Sequence, residues 1–257
     1  MLHPGVTVLN RYLQCLVLCS LMGALSSSCT PPTTKPIGTV ELSHTQDTNQ
    51  GTLLVFLPGL RDRASVFAGE GFVSAVERSG IKADIIGVEA HIGYYLKKEF
   101  PTRLKEDVVV PARQHGYRNI WLVGISLGGF GAIWYDVENP GDVMGIVVLA
   151  PYLGEPEVVA EIASAGGLMA WNPPAEAELD DQHRIWRGVK IYERPEKNLG
   201  RIYLGYGLAD KFALPDSLLA RVIPGNQVFT IAGGHDWSTW RSLWDSILKC
   251  GAIGSTR

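Results

Sequence analysis

With 257 residues and 46% apolar side chains, the chain has the length and composition for one large domain with a substantial core. A formal charge of −3 gives no basic footprint for nucleic acid. The four cysteines include no Cys-x-x-Cys pair and the six histidines no close-spaced pair, which leaves a structural zinc site without support.

In chain order, Arg11 precedes an apolar stretch from Tyr12 to Leu25, followed by Ser26, Ser27, Ser28 and Cys29. A basic residue, about 7–15 apolar residues and small residues behind them read as a secretory signal over 1–28. The stretch falls short of the roughly 20 residues a spanning helix needs. The small residues before Cys29 resemble a bacterial lipoprotein lipobox, in which the cysteine becomes the lipidated N-terminus. Ser26 stands where leucine is usual, with Leu25 one place further back. The resemblance implies export to the bacterial cell envelope and attachment to the membrane through Cys29. Ordinary cleavage among the serines, giving a periplasmic or secreted chain, is the competing reading. Cys15 and Cys19 would leave with the signal, and a lipidated Cys29 would leave Cys250 alone.

Residues 29–50 read as a linker, in which 37–45 could add an antiparallel edge strand. Beyond it, from 51 to 257, apolar runs alternate with helical patterns. TLLVFL (52–57), stopped by Pro58 and Gly59, reads as a buried strand and a loop. Residues 64–78 predict a helix ending at Gly80, and ADIIGVEA (83–90) a second strand. Pro101 marks the start of the next helix and Gly116 its end, while Pro111 inside it predicts a kink or break. IWLVGI (120–125) is the third strand, 127–138 a helix, and VMGIVVLA (143–150) the fourth strand. The interval from about 153 to 199 contains helices and reads as a small cap; plain surface helices would also explain its length. RIYLGYG (201–207) and QVFTIAG (227–233) are the fifth and sixth strands. The closing helix, 237–249, sets Trp237, Trp240, Trp244 and Ile247 on one stripe that belongs to the core. Buried strands alternating with helices indicate an α/β domain with a mostly parallel sheet covered by helices.

GISLG (124–128) is the stretch that carries chemistry. In Gly-x-Ser-x-Gly between a strand and a helix, the serine occupies a sharp turn and its oxygen is exposed at the carboxyl end of the sheet. Gly124 and Gly128 supply the small neighbours this turn needs. The competing reading is a tight turn that happens to contain serine. A serine hydroxyl needs a base to take its proton, and the base a carboxylate to orient it. Downstream of Ser126 stand only His183 and His235. His183 lies among charged residues and reads as a solvated face. His235 follows the sixth strand and is the expected base. Asp210 follows the fifth strand and is the expected orienting acid, with a helix N-cap as its ordinary alternative. Glu155 is the reserve acid, and Asp236 points elsewhere in any regular backbone. An oxyanion hole would combine the N–H of Leu127 with that of Leu60, where Gly59 lets the backbone approach.

GISLG (124–128), LPGL (57–60), GLAD (207–210) and GGHD (233–236), in this order, resemble the α/β-hydrolase superfamily over residues 52 to about 249. The resemblance implies a doubly wound, mostly parallel sheet with a helical cap, and acyl transfer to water through a serine acyl-enzyme. Ser126, His235 and Asp210 would form the triad, acting on a small-molecule acyl substrate with no metal or organic cofactor. Many members carry His-Gly where this chain has Pro58-Gly59, so no lipase subfamily is indicated. Carboxylic esters are the leading substrate class. Thioesters, amides, transfer to another acceptor, and a silent binding protein on the same fold remain as alternatives.

Three further features stand near the predicted site. His91, Tyr94 and Tyr95 follow the second strand and could line a substrate pocket. Arg61, Asp62 and Arg63 follow the oxyanion loop; they could orient a polar substrate, and a solvated charge cluster is the simpler reading. Gly129 and Gly131 lack the third glycine and the acidic residue of a dinucleotide fingerprint, which is rejected.

Overall fold

The computed structural model describes residues 31–45, 51–175, 180–193, 202–251 and 253. The expected signal segment 1–28 and Cys29 lie outside them. From Thr33 onward the chain is one compact unit.

Seven strands form a single sheet: β1 (Thr39–Ser43), β2 (Thr52–Leu57), β3 (Asp84–Val88), β4 (Asn119–Ile125), β5 (Gly145–Leu149), β6 (Ile202–Gly207) and β7 (Val228–Ile231). Their spatial order is β1-β3-β2-β4-β5-β6-β7. β1 runs antiparallel to β3, with Thr39 opposite Val88, and the other pairs are parallel. From the edge strand β1 the chain crosses to β2, moves outward to β3, returns past β2 to β4, and then winds outward the other way. The direction of winding therefore reverses between β2 and β4, where an open α/β sheet forms its ligand crevice.

The helices are α1 (Val66–Gly69), α2 (Phe72–Ser79), α3 (Ile92–Leu96), α4 (Phe100–Leu104), α5 (Val110–Gln114), α6 (Leu127–Glu138), α7 (Pro156–Ser164), α8 (Asp181–Val189), α9 (Ala213–Ala220) and α10 (Trp237–Lys249). They cover both faces of the sheet, because neighbouring strand residues point to opposite sides. On β2, Leu53, Val55 and Leu57 join one core with α4 to α9, and Leu54 and Phe56 join the other with α2 and α10. In the second core the ring of Trp244 stacks on Phe72 at 5.7 Å, and its indole N–H donates to the Phe72 carbonyl at 3.1 Å. Trp240, Trp244 and Ile247 of the predicted stripe are buried.

Two predicted helices are interrupted. The helix expected over 64–78 is split into α1 and α2 at Gly71, whose φ of 79° the α-helix does not accept. The helix expected over 101–116 survives Pro111 by widening. A π-helical turn, Lys105–Val109, separates α4 from α5 immediately before the proline. Proline has no N–H to give the preceding turn and crowds its carbonyl, and the wider turn accommodates both defects. Between β5 and β6 the predicted insertion contributes α7 and α8. Among the described residues no helix is long and apolar enough to cross a membrane.

Candidate active site

Ser126 closes β4 and precedes α6 with φ 53° and ψ −112°, a conformation that L-residues rarely hold. Its surroundings enforce it. The Ser126 N–H donates to Leu149 O at 2.9 Å, and its carbonyl accepts the N–H groups of Phe130 and Tyr152, both at 3.0 Å. Gly124 and Gly128 make room for the turn. A Cβ on Gly124 would stand 2.2 Å from Gly128 O, and one on Gly128 would stand 2.0 Å from Leu57 O.

The loops after β6 and β7 bring two further groups to this serine. His235 Nε2 lies 3.0 Å from Ser126 Oγ, and its Nδ1 lies 2.9 and 3.0 Å from the Asp210 oxygens. The Asp210 side chain is fully buried against the imidazole. Its Oδ1 also accepts the Phe212 N–H at 2.8 Å, so one carboxylate both orients the histidine and organises the turn into α9. The ring of His235 is held edge-on between Phe212 and Trp240, at 5.0 and 4.9 Å. Behind Asp210 sits Asp216, also fully buried, with no hydrogen-bond partner for either oxygen. Burial and the neighbouring Asp210 push its carboxyl well above the usual range.

After β2, Gly59 to Asp62 form a tight turn in which the Asp62 N–H donates to Gly59 O at 3.2 Å and Arg61 adopts φ 72°. A Cβ on Gly59 would stand 3.7 Å from Ser126 Cβ, so this turn lies directly against the serine. Leu127 is the first residue of α6, and its N–H is one of the donors that a helix leaves without an internal partner. Leu60 and Leu127 both line the cleft beside Ser126.

That cleft has a volume of about 570 Å³. Tyr95, Phe130, Tyr152, Phe212 and Trp240 supply aromatic walls around Ser126 and His235, and Ile92, Leu96 and Leu60 an apolar side. Arg61, Asp62, Glu155, Gln182 and Lys211 add polar groups. Burial, and then the charge of Glu70, raise the Asp62 carboxyl above its ordinary pKa. Glu155 Oε1 accepts the Tyr152 hydroxyl at 2.6 Å. The insertion reaches the cleft through α8, where Gln182 Oε1 accepts the Glu155 N–H at 2.6 Å.

Several expectations need correction. His91 and Tyr94 are not among the cleft-lining residues. His91 Nδ1 caps α3 by accepting the Gly93 N–H, and Tyr94 is buried with its hydroxyl on Thr34. The helix turns Ile92, Tyr95 and Leu96 to the cleft instead. Arg61 and Asp62 line the cleft, Arg61 with an exposed side chain. Glu155 lines the cleft but holds Tyr152 rather than His235. His183 is not on a solvated face: its ring lies against Trp171 and between Asp180 and Glu161, 2.8 and 3.1 Å away. Asp236 does point elsewhere, capping α10 by accepting the Thr239 N–H. The aromatic walls were missed because Phe130, Tyr152 and Phe212 lie far apart in sequence and converge only through the sheet. Their positions just after strands β4, β5 and β6 were the available signal.

A family model named Esterase matches residues 87–249, well over half of the chain. The chain belongs to this esterase family. The esterase resembles solved structures at low identity. The fluorophosphonate-binding serine hydrolase F of Staphylococcus aureus is 14% identical, with 86% of this chain and 96% of that one covered and a TM-score of 0.57. Est1E of Butyrivibrio proteoclasticus is 16% identical over 83% and 90% of the two chains, with a TM-score of 0.54. The S-formylglutathione hydrolase of S. aureus is 12% identical over 86% and 100%, with a TM-score of 0.53. At these identities the likeness shows the fold. No curated protein sequence matches the esterase. Among its described residues no cluster of histidine, cysteine and carboxylate side chains is arranged to hold a metal ion.

Proposed function

We propose that this esterase hydrolyses a carboxylic ester through Ser126, His235 and Asp210. The observation that carries this reading is His235, whose two ring nitrogens reach Ser126 Oγ and the Asp210 carboxylate within 3.0 Å. Ser126 Oγ attacks the ester carbonyl and its proton passes to His235 Nε2. Asp210, on Nδ1, fixes the tautomer and supports the imidazolium that forms. The N–H groups of Leu60 and Leu127 hold the oxyanion of the tetrahedral intermediate. Collapse expels the alcohol, which takes the proton from Nε2, and leaves the acyl group on Ser126. Water then attacks the acyl-enzyme with His235 as base, and the acid departs as Oγ regains its proton. The strained turn at Ser126 and the tight packing behind it support this role, since both fix the oxygen at the mouth of the crevice.

The test is reaction of the purified protein with a fluorophosphonate beside Ser126→Ala. The expected outcome is one label per parent chain, none on the variant, and ester turnover lower by about 10⁴-fold or more. A variant that is labelled, or that retains parental turnover, sinks the reading.

We infer further that the chain is exported and anchored in the cell envelope by a lipid on Cys29, with residues 1–28 removed. The pattern of Arg11, the apolar stretch and the small residues before Cys29 supports this. Cys29→Ala should shift the protein from the membrane fraction to the soluble one on fractionation of cells; an unchanged distribution contradicts the anchor.

A further inference from the structure

Two cations stand in the cleft without an acidic partner. Among the described residues, neither Arg61 nor Lys211 forms an ion pair, and both line the cleft. Other charged groups near it are held in place. Lys98, just past α3, is held by Asp181 at 2.5 Å. Glu155 Oε1 accepts the Tyr152 hydroxyl. Asp62 sits beside Arg61 on the turn after β2 and, like Glu155, also lines the cleft. The lining holds two cations and two carboxylates, and the cations are distinguished by where they stand.

The two cations flank the nucleophile. Arg61 follows β2, one strand from β4, and Lys211 follows β6, two strands away on the other side. They are not equivalent towards the reaction. In the mechanism proposed above, His235 gives its proton to the departing alcohol oxygen, so the alcohol portion must lie on the His235 side. The Phe212 ring is 5.0 Å from that imidazole, and the Lys211 ammonium rests 4.9 Å from the centre of the same ring. Lys211 thus places a mobile positive charge one aromatic ring beyond the imidazole, on the leaving-group side. A cation parked on a ring face keeps its charge available to a stronger anionic partner.

We propose that the preferred ester carries an anionic group, carboxylate or phosphate, on its alcohol portion, and that Lys211 is the specificity-determining residue that reads it. This rests on the serine-esterase reading and adds the substrate class. The aromatic walls receive the uncharged body of the ester, and Arg61 adds to the attractive field from the opposite rim.

The test compares butyrate esters of 4-hydroxybenzoate, of its methyl ester, and of 4-hydroxyphenylmethylphosphonate, by kcat/KM. The parent should prefer at least one anionic ester over the neutral one by about five-fold, mainly through KM. The preference should shrink at high salt. It should vanish in Lys211→Met, survive in Lys211→Arg and invert in Lys211→Glu. A gain confined to the phosphonate assigns a phosphate-type group, and one confined to the carboxylate a carboxylic acid. A parent that hydrolyses the neutral ester at least as well as both anionic ones overturns the proposal, as does an unchanged preference in Lys211→Met. If none of the three esters is turned over and fluorophosphonate does not react, the serine-esterase reading itself falls, which separates that failure from the loss of charge preference alone.

Discussion

A single methyl group tests the geometry around Ser126. Gly128 faces the backbone of β2 so closely that an added Cβ would stand 2.0 Å from Leu57 O and 2.7 Å from Pro58 O. Neither atom belongs to a flexible side chain, so α6 or β2 must move. Gly128→Ala should therefore abolish fluorophosphonate labelling and lower stability by about 1–3 kcal/mol, measured by urea unfolding. A stable, fully labelled variant would mean that the turn is looser than the close approach implies. At this scale the sequence was informative where chemistry and chain order constrain each other. Ser126, Asp210 and His235 could be picked because each follows a strand in a fixed order. The sequence could not say that Asp210 would serve the turn into α9 as well as the histidine. Nor could it choose between Tyr94 and Tyr95, because α3 is only five residues long and its register depends on the cap that His91 provides.

At the scale of elements, the insertion is tied together by one imidazole. His183 on α8 reaches Asp180 beside it and Glu161 on α7, while Trp171 lies against its ring and donates its indole N–H to Glu161 at 2.6 Å. Partial burial opposes a charge on His183, but the two carboxylates outweigh it and raise its pKa. A raised folded pKa stabilises the fold fully below the unfolded value of about 6.5, and the gain is lost as pH rises through the higher folded value. A neutral imidazole has one N–H and can donate to only one of the two carboxylates. His183→Gln should accordingly cost about 0.2–1 kcal/mol at pH values below about 6 and clearly less near pH 9, by unfolding at each pH. A cost independent of pH would assign His183 a packing role only. The insertion was recognisable from its length and helical pattern, whereas this cluster was not, since its members are spread over 161–183. The interruption before Pro111 follows the same division: the proline was visible, and its structural answer, a π turn, depended on packing, whereas the break at Gly71 fell inside a stretch read as one helix.

Across the whole molecule, the architecture was the most legible level. The six apolar runs and the edge segment near 37–45 correspond to β2–β7 and β1, and the central strands, buried on both faces, leave the clearest runs. What the runs could not give is their order in space, and the order has a consequence for durability. Ser126 stands on a central strand, whereas His235 follows β7, the outermost strand, which is four residues long, pairs only with β6 and has no fully buried residue. Edge elements with little burial open at lower free energy than the core. Gentle warming should thus lift His235 away from an otherwise intact protein, leaving Ser126 in place without its proposed base. Ester turnover should fall at temperatures where the tryptophan fluorescence of the core is still native, and return on cooling. Simultaneous loss of both signals would instead tie the outer strand to the core. If turnover is lost first, the hydrolase is silenced before it melts, and its reactivity is confined to chains in which the last strand has docked.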